Sequence, residues 1–208
     1  MQNSPLARAS RVALAALVAC ALGSAALLSG CGKQQPAFQN LDLTGNKQFG
    51  SDFALPDTSG KTRTLADYKG KAVVLFFGYT HCPDVCPTTM AELSQALQQM
   101  GPEDAKRVQV LFVTVDPERD TAALLSQYVQ AFNPTFVALR PANDAQLQKI
   151  TKDFRVYYAK VPGKTPDSYT MDHTAASYVF DPDGKLRLFA RDGQGAQPWV
   201  HDLKLLLD

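Results

Sequence analysis

The chain has 208 residues, 45% of them hydrophobic, with 21 basic against 20 acidic side chains and four cysteines. So even a charge balance, with no basic stripe and no aromatic–basic interleaving, argues against nucleic acid as a partner. The length is that of one domain with a short appendage, and such a domain buries a core without covalent staples.

The first thirty residues read as an export signal and not as part of a fold. Arg8 and Arg11 supply a positive start, residues 12–28 are almost wholly Ala, Leu and Val, and Leu28-Ser29-Gly30-Cys31 follows. Such a leader is removed on export. The Leu-Ser-Gly-Cys ending resembles the bacterial lipobox, which implies cleavage before Cys31 and a diacylglyceryl anchor on its sulfur. The alternative is an uncleaved anchor helix, although the apolar run falls just short of spanning length. Both place the remainder outside the cytoplasm and hold it at a membrane, on the periplasmic side. Gly32 lacks the acidic character associated with inner-membrane retention, so the outer membrane stays open. Residues 31–47 are polar and read as a flexible tether, followed by one domain over residues 48–208.

Within that domain, residues 52–55 and 62–65 flank the turn-rich Pro56-Asp57-Thr58-Ser59-Gly60 and predict an N-terminal β-hairpin. The run Ala72-Val73-Val74-Leu75-Phe76-Phe77 predicts a central strand covered on both faces. Helical periodicity takes over at residues 88–100. A strand over 108–115 and a helix over 121–132, with Asp120 as its N-cap, come next. A strand at 136–139, a helix at 144–154 and a short strand at 155–159 lead into a polar loop, residues 160–172. Strands at 175–180 and 185–191 join through Asp181-Pro182-Asp183-Gly184, a hairpin signal, and a last helix covers 198–206. The order predicts an α/β fold with a mixed central sheet flanked by helices.

Chemistry concentrates between the central strand and its helix, in Gly78-Tyr79-Thr80-His81-Cys82-Pro83-Asp84-Val85-Cys86-Pro87. Cys20 leaves with the leader and Cys31 takes the lipid, so Cys82 and Cys86 remain. A purely structural disulfide there would close so short a loop that it removes little unfolded-state entropy. A strand-to-helix turn instead places the sulfurs at the positive end of a helix dipole, where thiolates are stabilised. With Cys86 in the first helical turn and Cys82 just before it, the side chains can converge on a metal or on each other.

The element order is thioredoxin-like, with two departures. Three residues separate the cysteines where thioredoxins have two, and Asp172-His173-Thr174 stands where thioredoxins place a cis-proline facing the disulfide. Together with the ten-residue cysteine motif and Val115-Asp116-Pro117-Glu118-Arg119-Asp120-Thr121, these features resemble the Sco (SenC/PrrC) family, from about residue 48 to the C-terminus. Those proteins are membrane-tethered copper proteins of cytochrome oxidase assembly. The resemblance implies copper ligation by Cys82, Cys86 and His173, and delivery to the binuclear copper A site of cytochrome c oxidase subunit II or to another cuproprotein, with copper received from a periplasmic donor.

The ligand types agree with that expectation: soft thiolates select Cu(I), imidazole suits either oxidation state, and structural zinc sites want a fourth protein ligand. Asp84 and Asp116 are candidates for orienting a ligand, Asp116 alternatively for opening a turn with Pro117. His81 reads as a solvent-side neighbour, Met171 as packing with a thioether available to Cu(I), and His201 as surface. The segment before His173 offers a way for the ring to swing in. The competing reading is an enzyme, a thiol–disulfide oxidoreductase with Cys82 as nucleophile and Cys86 resolving, which keeps client cysteines reduced. A peroxiredoxin-like peroxidase shares the fold but has no use for this cysteine spacing.

Overall fold

The computed structural model describes residues 37–165 and 168–208; the expected leader and the expected lipidation site Cys31 lie outside them. At the centre is β4, Ala72–Gly78, whose seven residues are all buried. It runs parallel to β5, Val108–Thr114, with Ala72 opposite Val108 and Gly78 opposite Thr114. On its other side it meets β9, Ala176–Phe180, antiparallel. The sheet continues through β6 (Val137–Leu139) beyond β5, and through β10 (Leu186–Arg191) and β1 (Leu41–Asp42) beyond β9. Two-sided burial explains why β4 and β5 read as continuous apolar runs instead of alternating ones. A separate hairpin, β2 (Ala54–Pro56) and β3 (Thr62–Thr64), stands at the N-terminal side as expected.

Phe76 and Phe77 point to opposite faces of the sheet. Phe76 meets Phe112, which in turn meets Tyr128 of α3, Ala122–Phe132. Phe77 joins Tyr178 and Phe154, the latter just past the end of α4, Asp144–Asp153. The helix that follows the cysteine turn is α1, Val85–Met100, with the single turn α2, Pro102–Ala105, behind it. It packs against α3 and against the C-terminal α5, Ala196–Leu207, whose Trp199 is 1% exposed. This is the thioredoxin-like α/β arrangement. Among the described residues no helix is long and apolar enough to cross a membrane.

Four expectations need correction. Helix α1 begins at Val85 and not Thr88, and Cys86 lies in its first turn, as the convergence of the two sulfurs required. The cap of α3 is Thr121, whose side chain accepts from the Leu124 N–H at 3.2 Å; Asp120 turns inward instead. Residues 160–172 are not all loop: β7 (Tyr158–Pro162) and β8 (Tyr169–His173) form an antiparallel hairpin at the two ends of this range. Half of its strand residues are exposed and Met171 alone among them is buried, so it lacks the alternation that marks a half-buried strand. Finally, residues 39–43 are not free tether. Leu41–Asp42 pair with β10, Leu43 is 5% exposed, and the Asp202 carboxylate accepts from the N–H groups of Gln39 and Asn40 at 2.8 and 2.9 Å. Polar composition hid this edge strand because a sheet edge needs only backbone partners.

Candidate metal centre

Strand β4 ends at Gly78, and the three residues Tyr79, Thr80 and His81 carry the chain to Cys82. The Cys82 N–H bonds the Tyr79 carbonyl at 3.2 Å, and the Cys86 N–H points at Cys82 Sγ, 3.5 Å away. Cys86 is fully buried and Cys82 is 9% exposed at the rim. An added Cβ on Gly78 would lie 2.8 Å from Cys86 Sγ, so only glycine lets that sulfur rest against the strand end. The sequence quoted this glycine within the motif without exposing its role; a glycine closing an apolar strand was the available signal.

Both cysteines are free thiols with opposite tendencies. A hydrogen bond from the Cys86 thiol holds Cys82 far below the usual thiol range, at about 4, against the opposing effect of burial. The N–H groups of Asp84 and Cys86 act in the same direction. Burial pushes Cys86 well up, reinforced by the neighbouring Cys82 sulfur. The pair therefore holds one proton, on Cys86, and presents a thiolate at the rim.

The hairpin brings the third group. His173 ends β8, and its Nδ1 lies 3.1 Å from the Thr174 carbonyl. A carbonyl can only accept, so Nδ1 carries the hydrogen and the Nε2 lone pair faces Cys86 Sγ at 3.6 Å. The ring stands edge-on between Tyr79 and Phe76, with centroids at 5.8 and 6.5 Å. The three donor atoms lie within 4.8 Å of one another, the one such His, Cys, Asp or Glu cluster among the described residues. Metal–ligand bonds of about 2.0–2.3 Å in a trigonal plane need donor separations of roughly 4 Å, a small inward adjustment. The centre opens into a cleft of about 330 Å³ lined by Pro83, Asp84, Val85 and Met171.

Other expected residues fall elsewhere. Asp84 occupies the cap position of α1, but its side chain makes no capping bond; its N–H faces the Cys82 sulfur. Asp116 does not hydrogen-bond His173: it accepts from Arg119 Nε at 2.5 Å and from the Tyr169 hydroxyl at 2.9 Å. His81 is exposed and contacts Thr80 Oγ1 at 3.1 Å. Met171 packs, 6% exposed, while also lining the cleft. His201 is half-buried on α5 with Nδ1 2.8 Å from Asp202 Oδ1.

Comparison with known proteins agrees with this geometry. The family model described as SCO1/SenC matches residues 41–208. The chain belongs to the SCO1/SenC family. It is 39% identical over 180 residues to the mitochondrial SCO2 homolog of Bos taurus, covering 84% of this chain and 66% of that protein, just under two thirds. Among solved SCO structures, Bradyrhizobium japonicum ScoI with copper bound is 43% identical with a TM-score of 0.65, over 75% of this chain and 98% of that one. Apo Sco1 from Thermus thermophilus is 36% identical with a TM-score of 0.72, over 82% and 98%.

Proposed function

We propose that this chain is a copper metallochaperone that binds one copper ion through Cys82, Cys86 and His173 and passes it to a client cuproprotein. One observation carries the reading: two sulfurs and an imidazole nitrogen gathered within 4.8 Å at an open cleft. Soft sulfur favours Cu(I) and imidazole serves either oxidation state. The copper-bound relative supports copper over zinc as the cargo. Three ligands leave a coordination position through which an acceptor thiol or imidazole attacks, so the ion is handed on by ligand exchange. Cys82 is already a thiolate, whereas Cys86 must lose its proton as copper arrives, and loading therefore releases that proton. The family's role points to the binuclear copper A site of cytochrome c oxidase subunit II as the destination. The leader and Cys31 support a lipid-anchored protein on the periplasmic side, the oxidase client favouring the inner membrane.

The low-pKa, rim-exposed Cys82 beside a protonated, buried Cys86 also supports a second reading, a thiol–disulfide reductase for the client's cysteines. His173 separates the two. In the purified, reduced chain, His173→Ala should lower copper affinity about tenfold or more while disulfide exchange with a model peptide persists. Unchanged copper stoichiometry and affinity in that variant would reject the chaperone site.

A further inference from the structure

The run Val115-Asp116-Pro117-Glu118-Arg119-Asp120-Thr121 leaves β5 and enters α3 without offering a donor to the metal centre, yet it touches both halves of it. On one side Asp120, fully buried, accepts from the Thr80 N–H at 3.1 Å, from Thr80 Oγ1 at 2.5 Å and from Thr114 Oγ1 at 2.6 Å. Thr80 stands two residues before Cys82. On the other side Arg119 donates through Nη1 to the Tyr169 carbonyl at 2.8 Å, and its guanidinium lies 3.5 Å from the Tyr169 ring centroid. Asp116 ties the same Arg119 to the Tyr169 hydroxyl, and Glu118 pairs with Lys160 of β7. Tyr169 opens β8 and His173 ends it. Because β7 and β8 pair with no other strand, the hairpin is located by these contacts together with the buried Met171, whose backbone hydrogen-bonds the Tyr79 hydroxyl, and the packing of His173 on Tyr79 and Phe76.

We propose that this turn is a bracket that sets the distance between the sulfur pair and the imidazole, with Asp120 positioning the cysteine turn and Arg119 positioning the His173 hairpin. The inference rests on the copper reading only where copper is the readout. Both residues act through others and neither touches the ion. Their effects differ because Asp120 bonds the cysteine turn, whereas Arg119 bonds and stacks on Tyr169 at 3.5 Å and reaches the turn only through the Tyr79 ring at 5.8 Å. Lysine cannot replace Arg119, since a point-like ammonium lacks the planar fork that stacks on the ring while bonding a carboxylate and a carbonyl.

The test uses amide hydrogen exchange on the copper-free chain and electron paramagnetic resonance on the copper(II)-loaded chain. Arg119→Ala and Arg119→Lys should accelerate exchange across residues 158–173 about tenfold or more and change residues 80–86 far less. Asp120→Ala should do the reverse, and Asp120→Asn, which keeps an acceptor for the Thr80 N–H, should do so to a smaller degree. With copper(II), the Arg119 variants should lose imidazole nitrogen coupling, keep the thiolate charge-transfer band and bind copper roughly tenfold to a hundredfold more weakly. The Asp120 variants should shift that band and keep the nitrogen coupling. Equal loosening of both segments in every variant, or no loosening in any, overturns the bracket. A split exchange pattern combined with a His173→Ala variant that still shows wild-type nitrogen coupling leaves the bracket standing and rejects His173 as a copper ligand.

Discussion

A single hydrogen on Cα is what lets the Cys86 sulfur lie against the end of β4. In Gly78→Ala the new methyl would sit 2.8 Å from that sulfur and 3.0 Å from the rings of Phe112 and Phe76, all in fully buried surroundings. The expected cost is about 1–3 kcal/mol of stability from overpacking, read by denaturant unfolding, with weaker copper binding read by titration. Native stability and native affinity together would show that the strand end has room to spare. The two thiols make a further prediction. Cys82 is depressed from 9.0 to about 4 in the folded chain, so its contribution to stability is complete above pH 9 and is lost as pH falls through about 4. Cys86 is displaced upward, so stability should fall again as pH rises above 9. The reduced, copper-free chain should therefore gain stability between about pH 4 and 9, and Cys82→Ser should flatten that limb in denaturant titrations. The candidate donors Cys82 and Cys86 were legible from residue type and spacing, whereas His173 was reached only through the thioredoxin-like element order and the family resemblance. Gly78, Arg119 and Asp120 were not legible, because their roles exist only once distant turns meet.

Individual elements show the same division. β4, β5, β9 and β10 were readable from apolar runs and from the Asp-Pro-Asp-Gly turn, since burial on both faces leaves an imprint that polar insertions would erase. The hairpin of β7 and β8 left none: Pro162, Gly163 and several polar residues suit an exposed ribbon as well as a loop. The edge strand β1 was equally silent, being two residues long with Leu41 63% exposed. Its anchor is the Asp202 carboxylate, which is 1% exposed and accepts from Gln39 N, Asn40 N and Asn40 Nδ2. Asp202→Ala should cost roughly 1–3 kcal/mol through unmet hydrogen bonds and speed amide exchange at residues 39–43. Copper affinity should stay at the wild-type value. Unaltered exchange at 39–43 would mean that pairing with β10 alone holds this segment.

At the scale of the whole molecule, the sheet carries the cysteine turn at the end of its central strand while a peripheral hairpin brings the imidazole across. That division places a sheet-borne half and a half carried by a separate two-stranded hairpin on either side of the candidate centre, which suits the proposed release of copper. Loading should release about one proton per copper at neutral pH, from Cys86, measurable by calorimetry in buffers of differing ionisation enthalpy. No proton release would place copper elsewhere or show Cys86 already ionised. The central claim is the ligand set, and X-ray absorption at the copper edge reads it directly. The copper(I)-loaded chain should give two sulfur scatterers and one nitrogen from imidazole, with the imidazole signature missing in His173→Ala. A copper shell without sulfur, or one identical in the two proteins, would contradict the two-cysteine, one-histidine centre.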